Sequence, residues 1–302
     1  MLWGIKTTTN FEKLKLDEVD WLIVAINTRN VPGLVSSLFA LGLTDKLLFL
    51  DTPVLHLSDL KCLHTINKFR RVLTTEESIV LPNYMIAKEI LVSGDIGELK
   101  RIWFFNNGFK YHALATIKSL LDEKYILKGT FLRYGENCME TTLNFNGGIK
   151  ASIIEPRDYE SGRFLIAGSQ GLITDYRINS DMTDCKIFKI GYRITKEKII
   201  GFTVNGAVRM PTELDELFFQ KLDMSKIPQP TIMHQLKIRG LVEYFHLISS
   251  GGDSSFGYDY REGIYDSIFF HISNKFSRWY DFPVHFRCSL IPIIIRLLSL
   301  RN

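Results

Sequence analysis

Residues 21–63, WLIVAINTRNVPGLVSSLFALGLTDKLLFLDTPVLHLSDLKCL, decide how the rest of the chain is read. They open on a continuous apolar run, 21–26, the pattern of a strand buried on both faces of a parallel sheet. The polar turn Asn27-Thr28-Arg29-Asn30 leads to Pro32, whose fixed φ and missing N–H suit an early helical position. Leu34, Val35, Leu38, Phe39 and Leu41 then fall on a helical face, and Gly42 is the residue expected to close the helix. A second apolar run, 46–50, precedes Asp51-Thr52-Pro53, and Ser58 can cap one more short helix carrying Leu60 and Leu63. Strand, helix and strand within about thirty residues predict one right-handed βαβ crossover.

The 302 residues suffice for two domains with cores of their own, and 46% hydrophobic against 23% charged residues is ordinary for a globular chain. A net charge of +4, with no stretch that interleaves basic and aromatic residues, argues against a nucleic-acid partner. Four scattered cysteines (Cys62, Cys138, Cys185, Cys288) form no CxxC pair and read as reduced thiols of a cytoplasmic protein. The first ten residues have no apolar core of a signal peptide. The tail 289–300, SLIPIIIRLLSL, is too short to span a bilayer and reads as a segment docking on its own domain or on a partner subunit, with a membrane-surface helix as the alternative.

Outward from the crossover, 79–97 predicts a helix opened by Pro82 and stopped by Gly94 and Gly97. A strand follows at 98–106 and a helix at 112–121. Segments 128–133, 140–145, 150–155, 163–167, 172–176, 185–192 and 198–204 predict strands, with Asn146-Gly147-Gly148 as a hairpin turn. Helices are expected at 212–222 and 231–249, the second with an apolar face broken by Gly240. Gly251-Gly252 reads as a turn.

Several of these segments resemble one family, the glucose–fructose oxidoreductase / inositol dehydrogenase (Gfo/Idh/MocA) oxidoreductases. Val19-Asp20 and 22–27 resemble its "D-ViiAtPn-H" strand and turn. Leu50-Asp51-Thr52-Pro53 resembles its strand ending in Glu-Lys-Pro, and His56-Leu57-Ser58-Asp59 its "lslee" helix start. Residues 79–97 resemble its linker helix, Gly168-Ser169-Gln170-Gly171 its "Gs-G-i" element, and 258–266 its return helix; the likeness covers about residues 7–271. It implies an α/β plus α+β fold. A partial Rossmann-like parallel sheet in 1–78 would be followed in 79–302 by a large, mostly antiparallel open sheet backed by helices, with the return helix at about 258–271. It also implies NAD or NADP as cofactor, a sugar- or cyclitol-like substrate, and a homo-oligomer built through the open sheet.

The departures from the family are specific. Its Gly-rich loop has no counterpart: residues 1–20 hold one glycine, Gly4, and 4–20 resemble a later family element, so the first βαβ unit is expected to be missing. An upstream start would restore that loop and still leave Thr52 where the family has lysine. The turn histidine falls on Val31, and of the family's Asp-x-x-x-His element only His112 remains, in Gly108-Phe109-Lys110-Tyr111-His112. Oxidising an alcohol needs a base within reach of the O–H and a cation near the developing alkoxide. His112 is the candidate base, with Lys110 and Tyr111 as a candidate proton-donating pair. The alternative for His112 is a helix-start histidine satisfied by backbone or solvent. The candidate cofactor lining is Ala25, Ile26, Asn27, Thr28, Asp51, Thr52 and Pro53, at the carboxyl ends of the parallel strands. Asp20, Glu76, Glu77, Asp158 and Glu160 read as solvated or turn carboxylates, and Arg157 and Arg163 as surface groups or contacts for an anionic sugar. No zinc spacing and no Gly-x-Ser-x-Gly context is present. Two readings stay open: an NAD(P)-dependent oxidoreductase, or a catalytically silent relative that binds a ligand or oligomerises.

Overall fold

β1 (Trp21–Val24), β2 (Leu47–Asp51) and β3 (Arg71–Thr75) run parallel, with Leu22 opposite Leu48 and Leu48 opposite Val72. They are three strands of a computed structural model that describes residues 15–106, 110–123, 126–134, 138–156, 162–176, 185–196, 198–216, 231–250, 257–277, 284–288, 291–293 and 295. The expected crossover is there. α1 (Val31–Ala40) lies between β1 and β2, followed by a turn in which Gly42 takes φ 74°, a conformation costly for any residue with a Cβ. A 3₁₀ segment (Leu57–Cys62) and α2 (Leu63–Ile66) lead into β3.

Both faces of this sheet carry a core, although β1 is covered only in part: Ile23 is 53% exposed, and Ala25 and Ile26 beyond the strand are exposed too. Leu22, Val24, Leu48, Leu50 and Val72 join Val35 and Leu38 of α1 in one core. Trp21, Leu47, Phe49 and Leu73 join Tyr244, Phe245 and Ile248 in another. Trp21, Phe49 and Phe245 meet as a trio with ring centroids 5.1–5.8 Å apart, each pair contributing about 0.5–1.5 kcal/mol beyond its buried area.

The chain then passes through α3 (Pro82–Val92), β4 (Leu99–Phe105) and α4 (Lys110–Leu121) into a second sheet. Its further strands are β5 (Lys128–Tyr134), β6 (Cys138–Asn144), β7 (Lys150–Glu155), β8 (Arg163–Gly168), β9 (Gly171–Thr174), β10 (Lys186–Thr195), β11 (Lys198–Val204) and β12 (Ala207–Val208). β14 (Val284–Arg287) completes an order of β12-β11-β10-β9-β8-β4-β7-β6-β5-β14, in which only β4/β7 and β9/β10 pair parallel. The alternating burial of β6 marks one covered face. This is the expected α/β plus α+β architecture.

α5 (Ile232–Ser249), β13 (Tyr258–Asp259) and α6 (Tyr260–Ser277) bring the chain back to the first sheet, where β13 pairs antiparallel with β3. The Tyr244 hydroxyl donates to the Thr74 carbonyl at 2.6 Å and accepts from the Tyr258 N–H at 3.0 Å, so one side chain of α5 joins both strands. Gly240 does not break α5. A Cβ there would stand 2.8 Å from Leu81 and 3.0 Å from the Glu77 carbonyl, so glycine lets the helix close on the loop after β3. α4 and α6 are tied by a buried pair, Lys118 Nζ to Asp266 Oδ1 at 2.7 Å, with the Tyr258 hydroxyl on the other carboxylate oxygen.

The expected hairpin turn is there: Asn146–Gly148 forms a 3₁₀ turn, with Gly147 and Gly148 at positive φ, between the antiparallel strands β6 and β7. The return element differs from the expected helix in opening with two strand residues, and β3 is a strand for which the sequence reading has no counterpart. The helix expected at 212–222 lies largely outside the described residues, as do residues 1–14, Gly108-Phe109, Arg157, Asp158, Glu160 and Gly251-Gly252. In the tail, Cys288, Ile291 and Ile295 are buried in the core. Among the described residues no helix is long and apolar enough to cross a membrane.

Candidate functional site

Parallel strands end together, so the residues after β1, β2 and β3 meet at one edge of the sheet, the place where open α/β sheets bind ligands. After β1 come Ala25, Ile26 and Asn27, all exposed, and Thr28. The Asn27 side chain accepts the Arg29 N–H at 3.1 Å and starts the turn into α1. After β2 come Asp51, Thr52 and Pro53. The Thr28 hydroxyl donates to the Pro53 carbonyl at 3.1 Å, which ties the first two turns together.

The third turn supplies what sequence reading missed. Glu76, directly after β3, is 1% exposed rather than solvated, and its Oε1 stands 2.6 Å from His112 Nδ1 at the start of α4. The Ser78 hydroxyl reaches the same Oε1 at 2.5 Å and the His112 carbonyl at 3.1 Å. The Thr116 hydroxyl donates to the Ser78 carbonyl at 3.2 Å, or to that of His112 at 2.9 Å. The first turns of α4 are thus fastened to the loop after β3, although 36 residues separate Glu76 from His112.

Burial alone pulls the His112 pKa down, but the charge of Glu76 and its hydrogen bond outweigh that and hold it above the usual histidine value. Burial would raise Glu76, yet the imidazolium, its hydrogen bond and the Ser78 hydroxyl keep this carboxyl below the ordinary glutamate range. The two directions agree with an ion pair in which Nδ1–H lies on the Glu76 carboxylate.

Two further carboxylates and one cation belong to this group. Burial pushes Glu77 up, opposed by His112 and Lys237. Asp51 is also raised, by burial, against the Thr52 N–H and the charges of His112 and Lys237. Lys237, on α5, holds its Nζ 3.6 Å from Glu77 Oε1. Asp51, Thr75, Glu77 and Lys237 rim a cleft of about 350 Å³ whose walls include Ile23 and Phe245.

The other expected catalytic groups lie beside His112. The Tyr111 ring meets the imidazole edge-on, centroids 4.6 Å apart. Lys110 is buried and engages Glu155 of β7 at 2.5 Å; burial lowers its ammonium pKa, and Glu155 works against that. Arg163, half-buried on β8, donates to the Gly162 carbonyl. Among the described residues no cluster of three metal-ligating side chains occurs.

No protein-family model matches the chain, and no curated protein matches its sequence. Solved structures share its fold. An oxidoreductase from Agrobacterium radiobacter, determined with NAD+, L-tartaric acid and magnesium, matches with a TM-score of 0.62 over 93% of this chain and 84% of its own, at 14% identity. A putative myo-inositol dehydrogenase from Sinorhizobium meliloti gives 0.57 over 88% and 81%, at 12% identity. An inositol dehydrogenase homologue from Azotobacter vinelandii, complexed with NADH and myo-inositol, gives 0.54 over 89% and 79%, also at 12% identity. At such identities the likeness is one of fold.

Proposed function

We propose that the chain is an NAD(P)-dependent oxidoreductase of the Gfo/Idh/MocA type, acting on a neutral polyol such as a sugar or cyclitol at the edge where β1, β2 and β3 end. The observation that carries this reading is the Glu76–His112 ion pair at that edge, 2.6 Å long with its carboxylate buried. A histidine held in one tautomer by a buried carboxylate is built for proton exchange at its other nitrogen. The fold shared with structures determined with NAD+ or NADH supports the cofactor class. The cleft itself, apolar on its walls and hydrogen-bonding on its rim, fits the flat, weakly polar nicotinamide end.

When bound, the nicotinamide ring supplies the acceptor or donor of a hydride. The residues supply the rest. In the oxidative direction neutral His112 takes the hydroxyl proton as the carbinol becomes a carbonyl; in the reductive direction its imidazolium returns one. Because Glu76 favours the imidazolium, it favours the form of His112 that the reductive direction uses. Asp51 and Glu77, on the rim of the cleft, accept hydrogen bonds from hydroxyls and repel carboxylates, which favours a polyol over a hydroxy acid.

A second reading, a silent relative that binds a ligand or oligomerises, is favoured by Thr52 and by the fact that no Gly-x-Gly occurs in the 302 residues. The experiment that separates them is NADH formation from millimolar NAD+ with a panel of cyclitols and aldoses, for wild type and His112→Asn. The oxidoreductase reading expects turnover that falls about 10²–10⁴-fold in the variant. Absence of NADH with wild type, or equal rates for both, overturns it.

A further inference from the structure

We infer that Asp51 and Thr75, neighbours across β2 and β3, read the carboxamide of the nicotinamide: the Thr75 hydroxyl donates to its oxygen and the Asp51 carboxylate accepts its N–H. The inference rests on the cofactor class proposed above. It starts from a hydroxyl that the fold does not answer. Thr75 is 7% exposed, and its Oγ1 is buried with no hydrogen-bond partner among the described residues. Burying a hydroxyl without a partner is costly, and an unsatisfied group of this kind in a native fold calls for a reason. Thr75 lines the cleft at the strand ends, so a ligand seated there can supply the bond.

Strand geometry sets the direction of the group. Leu73, two residues earlier on β3, packs with Phe49 against Tyr244 and Ile248 of α5, whereas Thr74 lies against Gly263 of α6. Side chains alternate along a strand, so Thr75 stands with Leu73 on the α5 side. Its register partner on β2 is Asp51, which lines the same cleft. A hydroxyl can donate and a carboxylate accepts several hydrogen bonds, so the pair sets a donor beside an acceptor. A primary amide carries C=O and N–H side by side and meets both at once. The walls formed by Ile23, Ala25, Leu241 and Phe245 are apolar. They suit the ring that bears the amide and would strip water from polyol hydroxyls without replacing it. Glu77, the other carboxylate of the rim, faces the Lys237 ammonium at 3.6 Å; Asp51 is the one in register with Thr75.

The test is calorimetric titration of the full chain as wild type, Thr75→Val and Thr75→Ser, with NADH and with ADP-ribose, the dinucleotide stripped of its nicotinamide. A melting curve of each protein alone accompanies it. Valine keeps the shape of the side chain and removes the hydroxyl. NADH should bind about tenfold more weakly to Thr75→Val and within about threefold of wild type to Thr75→Ser, while ADP-ribose binds all three alike. Thr75→Val alone should melt at or above wild type, because no hydrogen bond is given up. Equal NADH binding by wild type and Thr75→Val overturns the inference and leaves the cofactor reading intact. So does a loss shared by NADH and ADP-ribose, or a lowered melting temperature, since either marks a hydroxyl that serves the fold. No NADH binding by wild type overturns the cofactor reading, and this inference with it.

Discussion

Replacing Glu76 by glutamine removes one charge from the pair with His112 and keeps its volume. The amide oxygen can still accept Nδ1–H from a neutral imidazole, so what is lost is the difference between a charge-assisted and a neutral hydrogen bond, about 1–1.5 kcal/mol. That loss depends on pH, and its sign follows from the two shifts. The folded His112 pKa is raised, so its contribution is fully present below the unfolded histidine value of about 6.5 and disappears as pH rises through the folded value. The folded Glu76 pKa is lowered, so its contribution is present above the unfolded value and disappears as pH falls through the folded one. The pair is therefore worth most between about pH 4.5 and 6.5. Urea unfolding at pH 5.5 should show Glu76→Gln less stable by about 1–1.5 kcal/mol, and at pH 9 by no more than a few tenths. Ring titration by NMR should place the His112 pKa of the variant below that of wild type, since burial then acts against the charged form with less to oppose it. An equal loss of stability at both pH values, or an unmoved His112 titration, would refute the ion-pair assignment.

Other substitutions test the frame around the pair. Lys118→Met leaves Asp266, 2% exposed, without its cation; the expected loss, read by urea unfolding, is about 3–5 kcal/mol. Burial already pushes the Asp266 pKa up to about 6, against the pull of Lys118; without that pull it rises further, so the loss should grow as pH rises above 6 and be smallest below it. Tyr244→Phe removes the hydroxyl between Thr74 and Tyr258 and should cost about 1–3 kcal/mol in thermal unfolding, the cost of buried backbone groups left unpaired. Gly263→Ala would set a Cβ 2.4 Å from Thr74 Oγ1 and 2.9 Å from Val54. Overpacking of about 1–3 kcal/mol should exceed the gain in helix propensity of about 1 kcal/mol, so the midpoint of urea unfolding should fall.

The two sheets were legible because their strands carry their own signals: unbroken apolar runs where both faces are covered, alternation where one is. β3, Arg-Val-Leu-Thr-Thr, carried neither signal. Only two of its residues are apolar, and Thr74 and Thr75, buried to 0% and 7% exposure, look polar in a one-dimensional reading. Missing β3 also hid Glu76. A carboxylate just past a parallel strand stands at the ligand-binding edge, but without the strand it reads as one more acidic turn residue. His112 could be singled out by its likeness to the family's Asp-x-x-x-His element; its partner could not, because the contact exists only once α4 has docked on the loop after β3. Lys237 sits on a helix more than a hundred residues further on, and Gly240, a gap in that helix's apolar face in the sequence, marks its close approach to the loop after β3.

The central claim is that a nicotinamide dinucleotide occupies the edge where β1, β2 and β3 end. Its most direct test is a calorimetric titration of wild type and Ala25→Trp with NADH and NADPH, the indole being placed to fill the cleft that Ala25 lines. A pyrophosphate bound without a Gly-rich loop forgoes about three charge-assisted contacts, roughly 4 kcal/mol or a thousandfold, which moves a micromolar affinity to about millimolar. The account predicts saturable binding near that affinity for wild type and at least a tenfold loss in Ala25→Trp. No heat from wild type at several times that concentration, or equal binding by both proteins, would contradict it.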